Sequence, residues 1–216
     1  MKSIVLVDYD KTLTSKDTTK SLIFSLLKKR YFLIYKVFIF YLKTKVFKSS
    51  DIQLVKNRLI GELIKDRKVD EVRRSLVSHK KYASTCLRKE ILRQLQNYMD
   101  DGKIVMIVTA SPSFSVSYCV KEYPFIVVGT DFEVNCGVHG SETVGPICYG
   151  NGKVEKISSW VNSNIEDQYE YFESWSDEIS DFPMLNLSKR QVIVCNKNDE
   201  KRFAGYFDSP IFFNPI

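Results

Sequence analysis

Histidine is almost missing from this chain. Its 216 residues include only His79 and His139, far apart in sequence, so a histidine-rich metal site is excluded. No two cysteines have CxxC spacing. The five present (Cys86, Cys119, Cys136, Cys148, Cys195) are scattered and odd in number. That argues against a disulfide framework and a zinc knuckle, and fits a reducing compartment. No apolar run reaches the roughly 20 residues that a membrane-spanning helix needs. The N-terminal run Ile4–Val7 stops at Asp8, too short for the apolar part of a signal peptide, so a cytoplasmic location is expected. Internal repeats and low-complexity linkers are also missing. Hydrophobic residues nevertheless make up 44% and charged ones 27%, enough apolar material for a real core. Disordered and collagen-like classes are therefore out. The length suits one domain, or one domain carrying an insertion.

The net charge of +6 is mild, and no specific nucleic-acid partner is expected from it. The excess is local. Residues 16–48 hold nine bases and one acid, Asp17, which leaves the rest of the chain slightly acidic.

A short β-branched run at Ser3–Val7 is followed by further strand candidates at Lys103–Val108, Phe125–Val128, Tyr169–Phe172 and Gln191–Cys195. Such runs read as buried parallel strands. Helical stretches fall between them at Ser113–Glu122 and Lys153–Val161. Strands alternating with helices predict an α/β fold with a Rossmann-like parallel sheet. The Gly- and Pro-punctuated stretch Thr130–Tyr149 predicts a β-hairpin flap. The gap between the first two strands is too long for one crossover helix. It predicts a helical cap over 15–92, with 1–14 and 93–216 forming the catalytic core. Within the cap, a well-capped amphipathic stretch is expected from Asp51, and Val69–Tyr98 is rich in helix formers.

Four features sit where such a sheet binds ligands, beyond the carboxyl ends of its strands. Asp8 and Asp10 end the first strand and can aim two carboxylates at one point; an Asp-rich turn is the plain alternative. Thr109, with Ala110 and Ser111, ends the second; its hydroxyl suits a phosphate oxygen, or a helix cap. Lys153, after Gly150-Asn151-Gly152, opens a helix and could neutralise a phosphoryl group. Asp177 and Asp181 could share a metal if their loop folds inward, or simply be a solvated acidic loop. Taken singly each is ordinary. Their order along one parallel sheet is not.

These stretches, Asp8-Tyr9-Asp10-Lys11-Thr12-Leu13-Thr14, Thr109-Ala110-Ser111-Pro112, Gly150-Asn151-Gly152-Lys153 and Ser176-Asp177 through Leu185, resemble the haloacid-dehalogenase-like superfamily in its phosphoserine-phosphatase-like branch. The resemblance covers nearly the whole chain apart from the cap. It implies Asp8 as nucleophile, forming an aspartyl phosphate, and Asp10 as general acid and base. It implies Mg²⁺ held by Asp8, Asp177 and the backbone carbonyl of Asp10, with Asp181 close by. Thr109, Ala110 and Lys153 would bind the phosphoryl group, and Asp17 is a substrate-contact candidate that serves equally well as a helix cap. Asp10 favours phosphate esters over halides, because an alkoxide leaving group needs a proton. Two positions depart from the family pattern: Lys11 stands where many relatives have glycine, and Glu178 where many have serine.

Residues 22–47 are unusually apolar and basic, with Lys29, Lys36 and Lys43 on one helical stripe. Three readings stand. The helix is buried with snorkelling lysines, lies peripherally on the inner face of a membrane, or forms a dimer face. A similar cap in C-type phosphatidylglycerophosphate phosphatases keeps a lipid phosphate beside small soluble phosphomonoesters as substrate. The expected activity is a Mg²⁺-dependent phosphomonoester hydrolase. The alternative is a membrane-surface or polyanion-binding module on an inactive scaffold. Phosphotransfer to an acceptor alcohol would share the same intermediate.

Overall fold

The computed structural model describes residues 1–28, 30–43, 49–203, 205–207 and 209–215, without the side chains of 41, 43 and 49–51. The cap expected at Asp51 and the lysines at 29 and 43 lie outside the described side chains. Seven strands form one sheet: β1 (Lys2–Val7), β2 (Ile104–Pro112), β3 (Ile126–Asn135), β4 (Val138–Val144), β5 (Tyr169–Ser176), β6 (Arg190–Val194) and β7 (Ile211–Phe213). Their order is β4-β3-β2-β1-β5-β6-β7. Every neighbouring pair is parallel except β3 and β4. The sheet is thus the α/β, Rossmann-like class expected.

β1 lies in the middle, and its apolar run is sealed on both faces because strand side chains alternate. Val5 and Val7 join the core made with Ile91, Leu95, Val116 and Cys119. Ile4 and Leu6 join the opposite core with Met106, Val108, Ile157 and Val161. The first group comes from α6 (Lys89–Asp100) and α7 (Ser113–Cys119), the second partly from α8 (Asn151–Asn164). A fully buried central strand has nowhere to place a carboxylate except beyond its end. There Asp8 stands.

Five further helices precede α6: α1 (Thr19–Leu27), α2 (Ile34–Lys43), α3 (Ser49–Ile64), α4 (Val69–Ser75) and α5 (Val77–Cys86). The first four share a separate core, with Ile23, Leu26, Val37, Ile60, Leu63 and Val72 among its buried members. The β3–β4 hairpin packs on this unit through Phe132. A Cβ on Gly61 would stand 2.0 Å from the carbonyl oxygen of Ser141, so α3 approaches β4 only through glycine.

Several boundaries differ from expectation. The divide drawn between 92 and 93 falls inside α6, which packs on the sheet from its first turn. The helix-rich stretch Val69–Tyr98 contains α4, α5 and most of α6, broken near Leu76 and at Leu87. The hairpin's first arm is the continuation of β3, not a separate flap. Its tight turn sits at Cys136-Gly137, both with positive φ. β7 is an edge strand that the hydrophobic pattern does not announce.

Both histidines are buried. Burial alone pushes His79 down from the ordinary imidazole range to about 4, and its Nδ1 has no partner. His79 therefore folds neutral. Its contribution is complete above about pH 6.5, where the unfolded imidazole is also neutral, and is lost as pH falls toward 4, where the unfolded chain binds the extra proton. The loss amounts to roughly 3 kcal/mol. Urea denaturation of the wild type and His79→Leu at pH 7.5 and about pH 4.5 checks this. The wild type should lose more stability over that interval; parallel profiles would remove the assignment.

Candidate active site

The turn after β1 aims its two acids by burying its neighbours. The Asp8 N–H extends the ladder to the Trp175 carbonyl oxygen at 2.9 Å. The next five residues form a wide turn, closed by the Thr14 N–H donating to the Tyr9 carbonyl oxygen at 2.9 Å and non-helical at Asp10 and Lys11, in which Tyr9 and Leu13 are fully buried in the sheet core. With those side chains fixed inward, Asp8 and Asp10 face a cavity of about 140 Å³. Lys11 completes the turn at φ 63°, the left-handed region that favours glycine, at a cost of about 1–2 kcal/mol. Its ammonium stands 3.9 Å from Glu178. The two departures from the family pattern thus face each other at the rim, each about half exposed.

All of Asp8, Asp10, Asp17, Thr109, Ala110, Lys153, Asp177 and Asp181 line this one cavity. Lys153 is 2% exposed. Its Nζ donates to Asp8 Oδ1 at 2.6 Å and to Asp181 Oδ2 at 2.7 Å. It reaches them from the first turn of α8, whose start is held tightly: a Cβ on Gly152 would lie 2.1 Å from the Ile147 carbonyl oxygen. The Ser176 hydroxyl donates to the same Asp181 oxygen at 2.6 Å. Thr12 ties the first turn to the acidic loop. Its Oγ donates to Asp177 Oδ1 and accepts from the Asp177 N–H, both at 3.0 Å.

Asp10 is held from both sides. Oδ1 accepts from the Thr18 N–H at 2.7 Å and the Thr18 hydroxyl at 2.8 Å. Oδ2 accepts from the Ser111 hydroxyl at 2.7 Å. Burial, then the Asp17 charge, lifts Asp10 above the usual carboxyl range despite these bonds. Thr109 is buried, and its Oγ accepts from the Ser111 N–H at 3.0 Å. Asp17 accepts from the Thr19 N–H at 2.8 Å at the start of α1, so it is a helix-start cap and a wall residue at once.

The strand-end pattern does not reveal Gln53 and Lys56, which enter from α3 in the cap. Lys56 is only 7% exposed. Burial lowers its pKa, against the pull of Asp10, Asp17 and Asp8. Gln53 Oε1 and both polar atoms of Asn57 are buried without partners. The available signal is spacing: 53, 56 and 57 place three polar residues on one face of a helix whose next turns are buried Leu59, Ile60, Leu63 and Ile64.

The site is short of positive charge. Burial carries Asp8 to about 8, with Lys153 pulling it down and Asp181 and Asp177 pushing it up. Burial also carries Asp177 to about 6. Lys153 works against its own burial, yet Asp181 and then Asp8 hold it above the ordinary lysine range. One buried ammonium therefore serves two carboxylates, Asp8 and Asp181, while Lys11 at the rim pulls Asp177 down. Among the described residues no three acidic, imidazole or thiol side chains close on a point as a ready metal cage. Asp8 and Asp177 both line the cavity, which has room for water. That all-oxygen set fits Mg²⁺, which is bound through one or two carboxylates and keeps several waters.

The fold is similar to that of a protein of unknown function from Bordetella pertussis Tohama I, at 14% identity over 99% of each chain, TM-score 0.83. It also matches phosphoserine phosphatase in its apo form, at 16% identity over 98% of this chain and 94% of that one, TM-score 0.56. A third likeness is to cytosolic 5'-nucleotidase IIIB bound to cytidine, at 14% identity over 99% of this chain and 81% of that one, TM-score 0.66. No curated protein matches the sequence. Residues 5–186 match the family model for haloacid dehalogenase-like hydrolases. With that match running from β1 through the acidic loop to the end of the cavity wall, the chain belongs to the haloacid dehalogenase-like hydrolase family.

Proposed function

We propose that the protein is a Mg²⁺-dependent phosphomonoester hydrolase working through an aspartyl phosphate on Asp8. The observation that carries this reading is the 2.6 Å contact of a buried lysine with the carboxylate at the end of the central strand, opposite a second, separately anchored aspartate. Asp8 supplies the attacking oxygen. Lys153 pulls it toward the ionised form against the effect of burial, and with Thr109 and the Ala110 backbone balances charge on the equatorial phosphoryl oxygens. Asp10, lifted in pKa and gripped by Thr18 and Ser111, carries the proton to the leaving alkoxide. The bond from phosphorus to the leaving oxygen breaks as the bond to Asp8 forms. Asp10, now a carboxylate, then takes a proton from the water that cleaves the aspartyl phosphate. Asp8, Asp177 and the carbonyl of Asp10 would hold Mg²⁺, with Asp181 close by. When bound, the ion offsets repulsion between the anionic nucleophile and the anionic phosphate.

The cavity is smaller than the roughly 300 Å³ of an ordinary ligand pocket. It suits a phosphoryl group with a small leaving group, from a soluble metabolite or the head of a lipid phosphate. Lys56, Gln53 and Asp17 lie where that leaving group sits. Purified protein should hydrolyse an aryl phosphate with Mg²⁺. Chelation with EDTA should stop it and added Mg²⁺ should restore it. Undiminished turnover after chelation would sink the metal requirement, and no turnover across a panel of phosphate esters would sink the hydrolase reading itself.

A further inference from the structure

α2 is apolar almost all the way round, and that is unusual for a helix with one side in solvent. Leu33, Val37 and Phe40 turn inward to the cap core. On the opposite side Ile34, Tyr35, Phe38, Ile39 and Leu42 form a continuous exposed stripe. Phe38 is 65% exposed and Tyr35 54%. Tyr31 and Phe32 in the preceding turn, and Phe24 on α1, are exposed as well. A run of large exposed apolar side chains marks a surface meant to be covered. The one charge within α2 before its last residue is Lys36, which pairs with Glu62 on α3 at 2.6 Å and so lies off the stripe.

Charge identifies the cover. The stripe sits inside the segment 16–48, with nine bases and one acid, and that acid, Asp17, faces the cavity. Lys28 and Arg30 flank its N-terminal end. A second copy docked through the same face would bring two strongly basic segments together. An anionic bilayer opposes them with phosphate. Aromatic rings with flanking bases suit the headgroup boundary. Depth is limited too: ten residues of α2 make about 15 Å, and among the described residues no helix is long and apolar enough to cross a membrane.

We propose that the α2 face of the cap is a docking surface for an anionic phospholipid bilayer, on which the helix lies in the plane of the interface. This does not depend on the phosphatase reading. It does bear on that reading's substrate, because α2 runs back against α3, the helix that carries Gln53 and Lys56 into the cavity.

Co-sedimentation of the full chain with vesicles tests it. Binding is expected to vesicles of phosphatidylcholine with phosphatidylglycerol, and to weaken between about 0.1 and about 0.5 M salt. It should be at least about tenfold weaker with phosphatidylcholine alone. Phe38→Ser and Tyr35→Ser together should cut binding at least about tenfold, since both side chains leave water on docking. The melting temperature and aryl phosphate hydrolysis should stay at wild-type levels. No binding to the anionic vesicles, or binding untouched by the double substitution, would overturn the proposal. So would a dimer in solution that Phe38→Ser dissolves while vesicles capture nothing.

Discussion

Asp8→Asn should lower aryl phosphate turnover by at least about a thousandfold, some 4 kcal/mol of transition-state stabilisation, while leaving a folded protein. The loss is large because no neighbour can substitute. Asp10 has both oxygens occupied by Thr18 and Ser111, and Asp181 is drawn to Lys153 and Ser176. Asp177 is fixed by Thr12. Folding survives because asparagine keeps the oxygen that accepts from Lys153. The comparison needs two readouts, steady-state hydrolysis and a thermal melt. Comparable turnover in the variant would remove Asp8 as nucleophile. A collapsed melt would call for Asp10→Asn, which should cost about 10²–10⁴-fold with a poor leaving group and much less with an activated one. That dependence on leaving group separates a proton donor from a residue that merely shapes the pocket.

Much of this site is legible in sequence because its parts sit at strand ends. A β-branched run that stops at an acid marks both an element and its ligand-facing edge. Asp8 is found that way, Thr109 as the hydroxyl that ends the second run, Asp177 and Asp181 by the acidic stretch after the fourth strand candidate, and Lys153 by the glycine-flanked helix start. The turn at Cys136-Gly137 is announced by its glycine. Lys56 and Gln53 are hidden for a physical reason. They reach the cavity only because the cap packs back over the sheet, a long-range contact that local periodicity does not encode. The supporting hydroxyls of Thr12, Thr18 and Ser111 are hidden likewise, since any surface turn carries such residues. The misplaced cap boundary has a similar cause. α6 is amphipathic wherever it packs, and nothing in its own pattern says that Ile91 and Leu95 meet β1 rather than the cap core. β7 is three residues between Pro210 and Pro215, too short for alternation to show.

The helix on which the lipid question turns shows the same limit from the other side. Sequence leaves open whether α2 is buried, interfacial or paired. Packing decides only that one side is buried, since Leu33, Val37 and Phe40 suffice to hold it to α1 and α3. The remaining apolar residues are more than the cap core requires.

Lys153→Met is the second large effect, and it splits stability from chemistry. Methionine matches the stem of lysine but removes its charge, leaving Asp8 and Asp181 buried without their shared partner. Breaking a buried pair from one side costs about 3–5 kcal/mol, because the surviving carboxylates keep their desolvation and lose their compensation. Urea denaturation at neutral pH in EDTA should show a loss of that order. Turnover should also fall by about 10²–10³, the scale for removing one stabiliser of transition-state charge. The two losses have different remedies. A cation that occupies Asp8 and Asp177 restores part of the missing positive charge, so Mg²⁺ should recover stability in the variant more than in the wild type. It should not recover turnover, since the phosphoryl oxygens still lack the ammonium. Full rescue of turnover by Mg²⁺ would show that Lys153 serves only to hold the carboxylates. A variant as stable as the wild type without the ion would show that Asp8 and Asp181 find another partner once the lysine is gone.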